Sequence, residues 1–271
     1  MASPLTAAPE AQQRKPPSPD TKPPPTTTPR WNSKQSVSPK HADLVCLVLS
    51  FITGLCDSAA YNAWSCFLAM QTGNTIFLGL GASHQPTGKH WGWLKSLISV
   101  LFFFLGALLF SRYGRALGPR ARTTLSTSFL FQAILLIISV SLLEADLIPH
   151  TEEESRTLTG GRLFLELIPI ALLAFQSAGS MTAARGLGYN EIPTVVLTSV
   201  YFDVASDPKL VSGVSGNVKR NRRIGAVVML LVGAIAGGWL SQSKGGMESA
   251  LWISAGLKVL IAALWVGWAA E

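Results

Sequence analysis

Residues 54–81, GLCDSAAYNAWSCFLAMQTGNTIFLGLG, place a carboxylate and several amides inside sequence that is otherwise apolar enough for a membrane. A buried polar group without a partner is costly in hydrocarbon, so such groups must face one another, water or a ligand. In membrane proteins they mark a functional-site hypothesis. The residues of this stretch that we assign to a candidate substrate-binding site are Asp57, Tyr61, Asn62, Gln71, Thr72, Gly73 and Asn74.

Asp57 and the MQTGNT motif each allow two interpretations. Asp57 could bind a proton or a cation, or it could bond a neighbouring amide and only support packing. In MQTGNT, Gly73 permits a broken helix whose free backbone N–H and C=O groups could hold an ion or a polar ligand. The alternative is close helix contact at Gly73, with Thr72 and Asn74 bonding across the interface.

Lys258 lies deep in the last apolar segment, too far from either end to reach water easily. We expect it to pair with a carboxylate from another helix, either Asp57 or Glu166, as a structural ion pair or within a substrate site. Glu166 itself is expected near a membrane interface. Gln132 lies 126 residues before Lys258 and is the most polar residue of its own segment. Further candidates in the second half of the chain are Gln176, Thr194 and Thr198.

The composition is that of a membrane protein. Of 271 residues, 48% are hydrophobic and only 14% are charged, against about 25% charged in soluble domains. The formal charge of +7 is concentrated beside apolar runs, which flanks of membrane spans explain better than nucleic-acid binding does. The cysteines and histidines form no metal-ligand spacing and no soluble-enzyme motif occurs, so we predict neither a metal nor a cofactor.

Six apolar segments each approach the length of about 20 residues that crosses a bilayer. They are about 42–62, 94–111, 123–143, 163–184, 224–241 and 249–269. Two shorter segments, 66–82 and 192–205, are ambiguous, so the chain has six or eight crossings. Six crossings put the basic loops 112–122 and 207–223 on one side and the acidic loop 144–162 on the other, as the positive-inside rule requires. We therefore predict six spans, cytoplasmic termini, and two re-entrant or broken segments.

Residues 1–40 are rich in Pro, Thr, Ser and Lys and carry six basic and two acidic residues. This composition predicts a disordered tail. The tail lacks the apolar stretch of a signal peptide, so the first span is expected to direct insertion. Residues 41–271 form the predicted membrane domain.

A weak internal repeat divides that domain into 42–143 and 163–269. Three residues recur at a nearly constant offset of 125 to 127, namely Gly54 as Gly179, Thr72 as Thr198 and Gly106 as Gly233. With three crossings per half, the second half enters from the opposite face. The sequence therefore predicts an all-α polytopic bundle of six helices in two inverted three-helix repeats. Such repeats with interrupted helices point to a transporter with a site near the bilayer midplane.

Three stretches carry a family resemblance. They are GLCDSAAYNAWSCFLAMQTGNTIFLGLG, FQSAGSMTAARGLGYNEIPTVVLTS and RRIGAVVMLLVGAIAGGWL. The first resembles the signature of the YoaK family, catalogued as domain of unknown function 1275, in its G-x-x-D, its Phe and its TGN element. The resemblance covers roughly residues 42–268 and implies a multi-pass membrane protein of about six helices, often guessed to be a permease, without an established substrate. The Pro- and Thr-rich tail looks like that of fungal members.

Three functions fit these observations. The first is a small-molecule transporter or permease, cation- or proton-coupled, for an unknown small-molecule or ion substrate. Its site would be built from Asp57, Gln71, Thr72, Asn74 and Lys258. The second is an intramembrane enzyme acting on a lipid-like substrate through Asp57 and Glu166, and the third is a non-catalytic scaffold. We expect the protein to lie in a lipid bilayer, with the plasma membrane favoured. We expect no nucleic-acid partner and leave homo-oligomer formation open.

Overall fold

The computed structural model describes residues 35–85, 91–149, 161–192 and 197–271. Apart from two isolated bridge pairs, the regular structure of these residues is helical. The helices are α1 (Ala42–Trp64), α2 (Gln71–Ala82), α3 (Gly92–Leu117), α4 (Arg122–Glu144), α5 (Leu167–Gly186), α6 (Thr198–Ala205), α7 (Val218–Ser241) and α8 (Gly246–Gly267). Short 3-10 helices, Gly161–Glu166 and Val214–Gly216, precede α5 and α7.

Six helices in the described part of the chain, α1, α3, α4, α5, α7 and α8, are long and apolar enough to cross a membrane. The predicted multi-pass bundle is confirmed in this respect. Large apolar side chains such as Phe104, 65% exposed, and Trp239, 77% exposed, lie on the outside of α3 and α7, where hydrocarbon would cover them. We call the end where α1 begins and α8 finishes the basic end, and the opposite end the acidic end.

Helix α7 begins at Val218, earlier than the apolar segment that starts near 224. The side chain of Asn217 caps this start by accepting a hydrogen bond from the backbone N–H of Arg220 at 3.0 Å. Hydropathy marks only the apolar part of a helix, so the basic first turns were not predicted as helical.

The ambiguous segment 66–82 turns back within the bundle and forms only a short helix. With 12 residues, α2 measures about 18 Å at roughly 1.5 Å per residue, too short for a hydrocarbon core of about 30 Å. Residues 65–70 turn back from the acidic end to the depth of Asp57, and Gly81 near the end of α2 packs against Trp93 at the start of α3. The other ambiguous segment contains α6, which has 8 residues and is also too short to span.

Helix contacts repeat between the two halves. Helix α1 packs on α7, and α5 packs on α3 in the same way. Likewise, α1 packs on α8 and α5 packs on α4, while α4 and α8 pack on each other. Gly233 of α7 faces the backbone oxygen of Phe51, and Gly106 of α3 faces that of Phe175, each so closely that a Cβ would collide with it. Small residues at such crossings let membrane helices approach. This pairing is the one that two inverted repeats produce, with offsets of 127 for the glycines and 124 for the phenylalanines.

Two ion pairs follow the same relation. At the acidic end, Lys95 pairs with Glu166, with exposed side-chain fractions of 9% and 0%. At the basic end, Arg222 pairs with Asp43 at 3.0 Å. Glu166 is buried against Lys95 at the start of α5, and the expectation that it lies near a membrane interface stays a prediction.

Residues 35–40, assigned to the tail from composition, lie against the basic end. Their backbone bonds to residues 120–122 and 269–271, and Val37 is fully buried. The chain is thus held from at least Gln35 onward. Residues 1–34 of the predicted tail lie outside the described residues.

Candidate functional site

A first polar cluster, the linker cluster, consists of Asp57, Gln71, Asn74 and Ser99 around residues 65–70. Asp57 is buried on α1. Its Oδ1 accepts hydrogen bonds from the backbone N–H groups of Leu68 at 2.7 Å and Ala69 at 2.8 Å, and its Oδ2 accepts one from Met70 at 3.1 Å. The carboxylate thus satisfies the free backbone donors just before α2, where the helix dipole also favours negative charge.

Asn74, which is fully buried, holds the same linker from the other side. Its Oδ1 accepts from the N–H of Phe67 at 3.0 Å, and its Nδ2 donates to the carbonyl of Phe67 at 2.7 Å. The same Nδ2 lies 2.9 Å from both Gln71 Oε1 and Ser99 Oγ. Asn74 therefore pairs like a backbone unit and fixes the turn.

The remaining candidates of residues 54–81 do not converge on one point. Tyr61, Asn62 and Thr72 are exposed, and the Tyr61 ring stacks on Phe67 with centroids 4.9 Å apart. Gly73 makes room for the Phe67 ring, since a Cβ there would lie 2.8 Å from Cε2 of that ring. The polar density of this stretch builds a re-entrant turn, and its buried amides and carboxylate are bonded within the protein.

A second polar cluster, the Lys258 cluster, consists of Lys258, Gln132, Gln176 and Ser180 and lies among α4, α5 and α8. Lys258 Nζ donates to Gln132 Oε1 at 2.7 Å, Gln176 Oε1 at 2.5 Å and Ser180 Oγ at 2.9 Å. Each of the four residues is at most 4% exposed. The structure thus brings together three of the predicted site residues.

The prediction that Lys258 pairs with a carboxylate, either Asp57 or Glu166, is wrong. Glu166 pairs with Lys95, and Asp57 makes no ion pair with Lys258 within 4.0 Å. The ammonium instead rests on three neutral oxygens, which supply dipoles but no opposite charge. An uncompensated charge at this depth is costly, and such residues are characteristic of functional sites in membranes.

A small cavity of about 10 Å³ lies beside Lys258 and is also lined by Asp57, Cys56, Gln176 and Ser180. This volume is close to the minimum, about 10–15 Å³, that holds one water molecule. The two clusters therefore meet around a space the size of one water molecule.

The Lys258 cluster lies where the halves are related. Gln132 and Lys258, which match at the predicted offset of 126, bond each other directly. Cys56 lies 124 residues before Ser180. Cys56 contacts Ser254 of α8 at 3.1 Å, and Ser180 contacts Gln132 of α4 at 3.0 Å. Equivalent positions of both halves thus converge on one point between them.

A larger cleft of about 570 Å³ opens at the acidic end. The chain segments that line it are the end of α1, the end of α4 and the junction of α7 with α8. Among its lining residues are Asn62, Glu144, Asp146, Glu248 and Trp252. Of the residues predicted for the site, Asn62 is the one that lies here, away from the Lys258 cluster.

Two predicted residues lie elsewhere. Thr198 begins α6, away from both clusters, and Thr194 lies outside the described residues. Ser180 and Ser99 were missed, because a lone serine in an apolar helix is common. For Ser180 a signal existed, since it follows Gln176 by one helical turn on the same face.

No three His, Cys, Asp or Glu side chains are grouped to hold a metal ion in the described ranges. The cysteines Cys46, Cys56 and Cys66 are free and buried, and Cys56 acts as a small packing group with a hydrogen bond to Ser254.

No curated protein and no solved structure matches the chain significantly. A family model matches residues 45–264, which include all six candidate spans in large part, both polar clusters and the linker. On this match the chain belongs to the family described as protein of unknown function DUF1275.

Proposed function

We propose that this multi-pass membrane protein is a small-molecule transporter whose site is centred on Lys258. The observation that carries the proposal is the buried ammonium held by three neutral oxygens at the contact between the halves. Transporters built from inverted repeats place their sites at this kind of interface. The missing opposite charge would be supplied by the solute.

The chemistry of the cluster favours a small anionic solute, such as a carboxylate. Gln132 and Gln176 each carry an amide group that can donate to a carboxylate oxygen once the side chain turns. Lys258 would then form an ion pair in which the acceptor as well as the donor is charged, in place of its present bonds to neutral acceptors. Release of the solute would return Lys258 to its amide partners.

The linker cluster has a supporting role in this proposal. Ser177 of α5 donates to the carbonyl of Leu68 at 3.2 Å, so the re-entrant turn is tied to the helix that carries Gln176 and Ser180. A shift of α5 relative to α1 would move the turn and the Lys258 cluster together. Asp57, placed in the substrate site from sequence, acts here as the residue that holds the turn.

Orientation and location complete the proposal. The basic end carries most of the Arg and Lys side chains of the loops, so the positive-inside rule places it in the cytoplasm. Both termini are then cytoplasmic, and the plasma membrane is the proposed location.

A non-catalytic scaffold is the second candidate, because the cavity beside Lys258 is only about 10 Å³. The intramembrane enzyme has less support. Its two carboxylates are engaged separately, Asp57 with the linker and Glu166 with Lys95, and do not share a reacting centre.

A thermal-shift screen separates the transporter from the scaffold. The purified full chain is heated with a panel of small carboxylates, amines and neutral polar solutes, each tested also on Lys258→Met. A transporter predicts that one or more anions raise the unfolding temperature of the native chain and leave Lys258→Met unchanged, because binding to the folded state stabilises it. Equal shifts in both proteins, or no shift with any solute, would contradict the proposal and favour the scaffold.

A further inference from the structure

The two ends of the bundle differ although the halves repeat. At the acidic end, the cleft of about 570 Å³ is lined by the end of α1, the end of α4 and the junction of α7 with α8. By the relation between the halves, the place at the basic end that is equivalent to this cleft lies among the end of α5, the end of α8 and the junction of α3 with α4. Ala183, for example, lies 124 residues after Ala59, which lines the cleft.

Residues 35–40 fill that equivalent place. The backbone N–H of Val37 donates to the carbonyl of Arg120 at 2.8 Å, and that of Ser38 donates to Ala269 at 2.9 Å. In return, the carbonyl of Ser36 accepts from Glu271 at 3.0 Å and that of Gln35 from Arg122 at 3.3 Å. The segment is therefore paired on one side with the α3–α4 junction and on the other with the end of the chain.

Side chains add to this closure. Val37 has no exposed surface and belongs to the core. The Trp268 ring nitrogen donates to the carbonyl of Ser38 at 2.9 Å, and the Tyr189 hydroxyl donates to that of Pro39. A surface segment would leave its carbonyls to water, whereas here consecutive carbonyls are bonded to groups from two other parts of the bundle.

We propose that residues 35–40 form a plug that closes the basic end, so that the structure has a cleft open at the acidic end and a sealed counterpart opposite. The inference rests on the proposed function in one respect, namely that the closed route leads to the Lys258 cluster. Undocking of the plug would open that route from the side of the tail. The plug is attached at Ala42 to α1, the helix that carries Asp57, so undocking and rearrangement of the site are mechanically linked.

Thiol labelling tests the plug without any substrate. Two single replacements are made in the reconstituted full chain, Ala183→Cys on α5, at the position related to Ala59 of the acidic-end cleft, and Asn62→Cys in that cleft as an accessible control. Each is combined with deletion of residues 1–34, which keeps the plug, and with deletion of residues 1–40, which removes it. A membrane-impermeant thiosulfonate is added to both faces, and the chain without new cysteines gives the background from its three buried native thiols.

Asn62→Cys should react at the same rate in all three chains. Ala183→Cys should be protected in the full chain and after deletion of 1–34, and should react about tenfold faster or more after deletion of 1–40, since even one lost hydrogen bond changes an opening equilibrium by about that factor. Equal reactivity of Ala183→Cys with and without residues 35–40 would overturn the plug.

A full-length variant guards against misfolding of the deletion. Val37→Asp forces a charge into the buried position of Val37 and should expose Ala183→Cys to a similar extent, whereas exposed Ser36→Asp should not. The same labelling in Lys258→Met separates the two proposals. Protection that depends on the plug but not on Lys258 supports the closure even if solute binding fails. If Ala183→Cys already reacts in the full chain as fast as it does without residues 35–40, while solute binding is unchanged, the closure alone is contradicted.

Discussion

The linker cluster and the Lys258 cluster are both made of buried amides, hydroxyls and one charged group, but the charged groups meet different partners. Asp57 accepts three backbone N–H donors at the start of a helix. Lys258 donates to three neutral oxygens and to no carboxylate among the described residues. The first group is bonded to backbone donors, whereas the second makes no ion pair within 4.0 Å among the described residues. Polar groups within apolar helices therefore become evidence for a ligand site only after their partners have been counted.

The two clusters also differ in how they draw on the two halves of the chain. The residue related to Asp57 by the offset of 124 is Met181, so the second half has no such carboxylate. The positions related to Lys258 and Ser180, in contrast, are Gln132 and Cys56, which both take part in the central contacts. The Lys258 cluster is thus shared by the halves, whereas the linker cluster belongs to one of them.

The largest expected effect is on folding, from removal of the Asp57 carboxylate. Asp57→Ala leaves three buried N–H groups without acceptors, and each charge-assisted bond is worth about 1.5–3 kcal/mol. We expect the free energy of unfolding in detergent to fall by about 3 kcal/mol or more. Asp57→Asn, which keeps one acceptor oxygen, should lose less than the alanine variant. Equal stability of Asp57→Ala and the native chain would show that the carboxylate does not hold the turn.

Asn74→Ala should have the next largest effect, because it removes both sides of the pairing with Phe67. An expected loss of about 2 kcal/mol follows from unsatisfied buried backbone groups. Thr75→Ala is the matched control, since Thr75 is exposed and bonds only within its own helix turn, to Gln71. Its unfolding free energy should change by less than about 0.5 kcal/mol. Similar losses in both variants would contradict a specific role for Asn74.

Two glycines of α2 should respond to alanine with opposite signs. Gly73→Ala forces the Phe67 ring to move, and overpacking costs typically about 1–3 kcal/mol, more than alanine's helix preference of about 1 kcal/mol recovers. Gly79 has open space where a Cβ would be, so Gly79→Ala should be neutral or stabilising. Thermal unfolding of the two variants side by side checks the sign. Stabilisation by Gly73→Ala would mean that the turn tolerates a different Phe67 position.

Lys258→Met should affect stability less than Asp57→Ala or Asn74→Ala. Methionine keeps the length and bulk of the side chain, and removal of a poorly compensated buried charge regains desolvation free energy. The lost bonds to Gln132 and Gln176 act in the opposite direction, so the unfolding free energy should change by less than about 1–2 kcal/mol. A loss as large as that of Asp57→Ala would place Lys258 with the structural residues.

Much of the fold could be predicted from the sequence, because hydropathy and loop charge report directly on membrane spans. The six long segments and the Gly106–Gly233 relation both follow from residue types and spacing. The exact register between the halves could not be predicted. The helix crossings relate Phe51 to Phe175 at an offset of 124, whereas the predicted match paired Gly54 with Gly179 at an offset of 125. Backbone contact at a crossing depends on helix rotation, which residue types alone do not fix.

The candidate site could be predicted only in part. Gln132, Gln176 and Lys258 were identified because polar residues deep in apolar segments are few, and the structure brings them together. For Asp57 the sequence left two interpretations open, a ligand site or bonding to an amide in support of packing. It could not decide between them, since the partners are backbone N–H groups, which no sequence pattern reveals. The Lys95–Glu166 pair was missed for a related reason, because both residues lie at segment ends where charge is ordinary.

The proposed role of Lys258 in transport is tested most directly by solute uptake into proteoliposomes that contain matched amounts of folded native chain or Lys258→Met. The solute is the anion that gives the largest thermal shift with the native chain. We expect uptake by the native chain and a reduction of more than about tenfold in Lys258→Met, because loss of a buried charge partner costs about 2 kcal/mol or more. Undiminished uptake by folded Lys258→Met would contradict the proposed role.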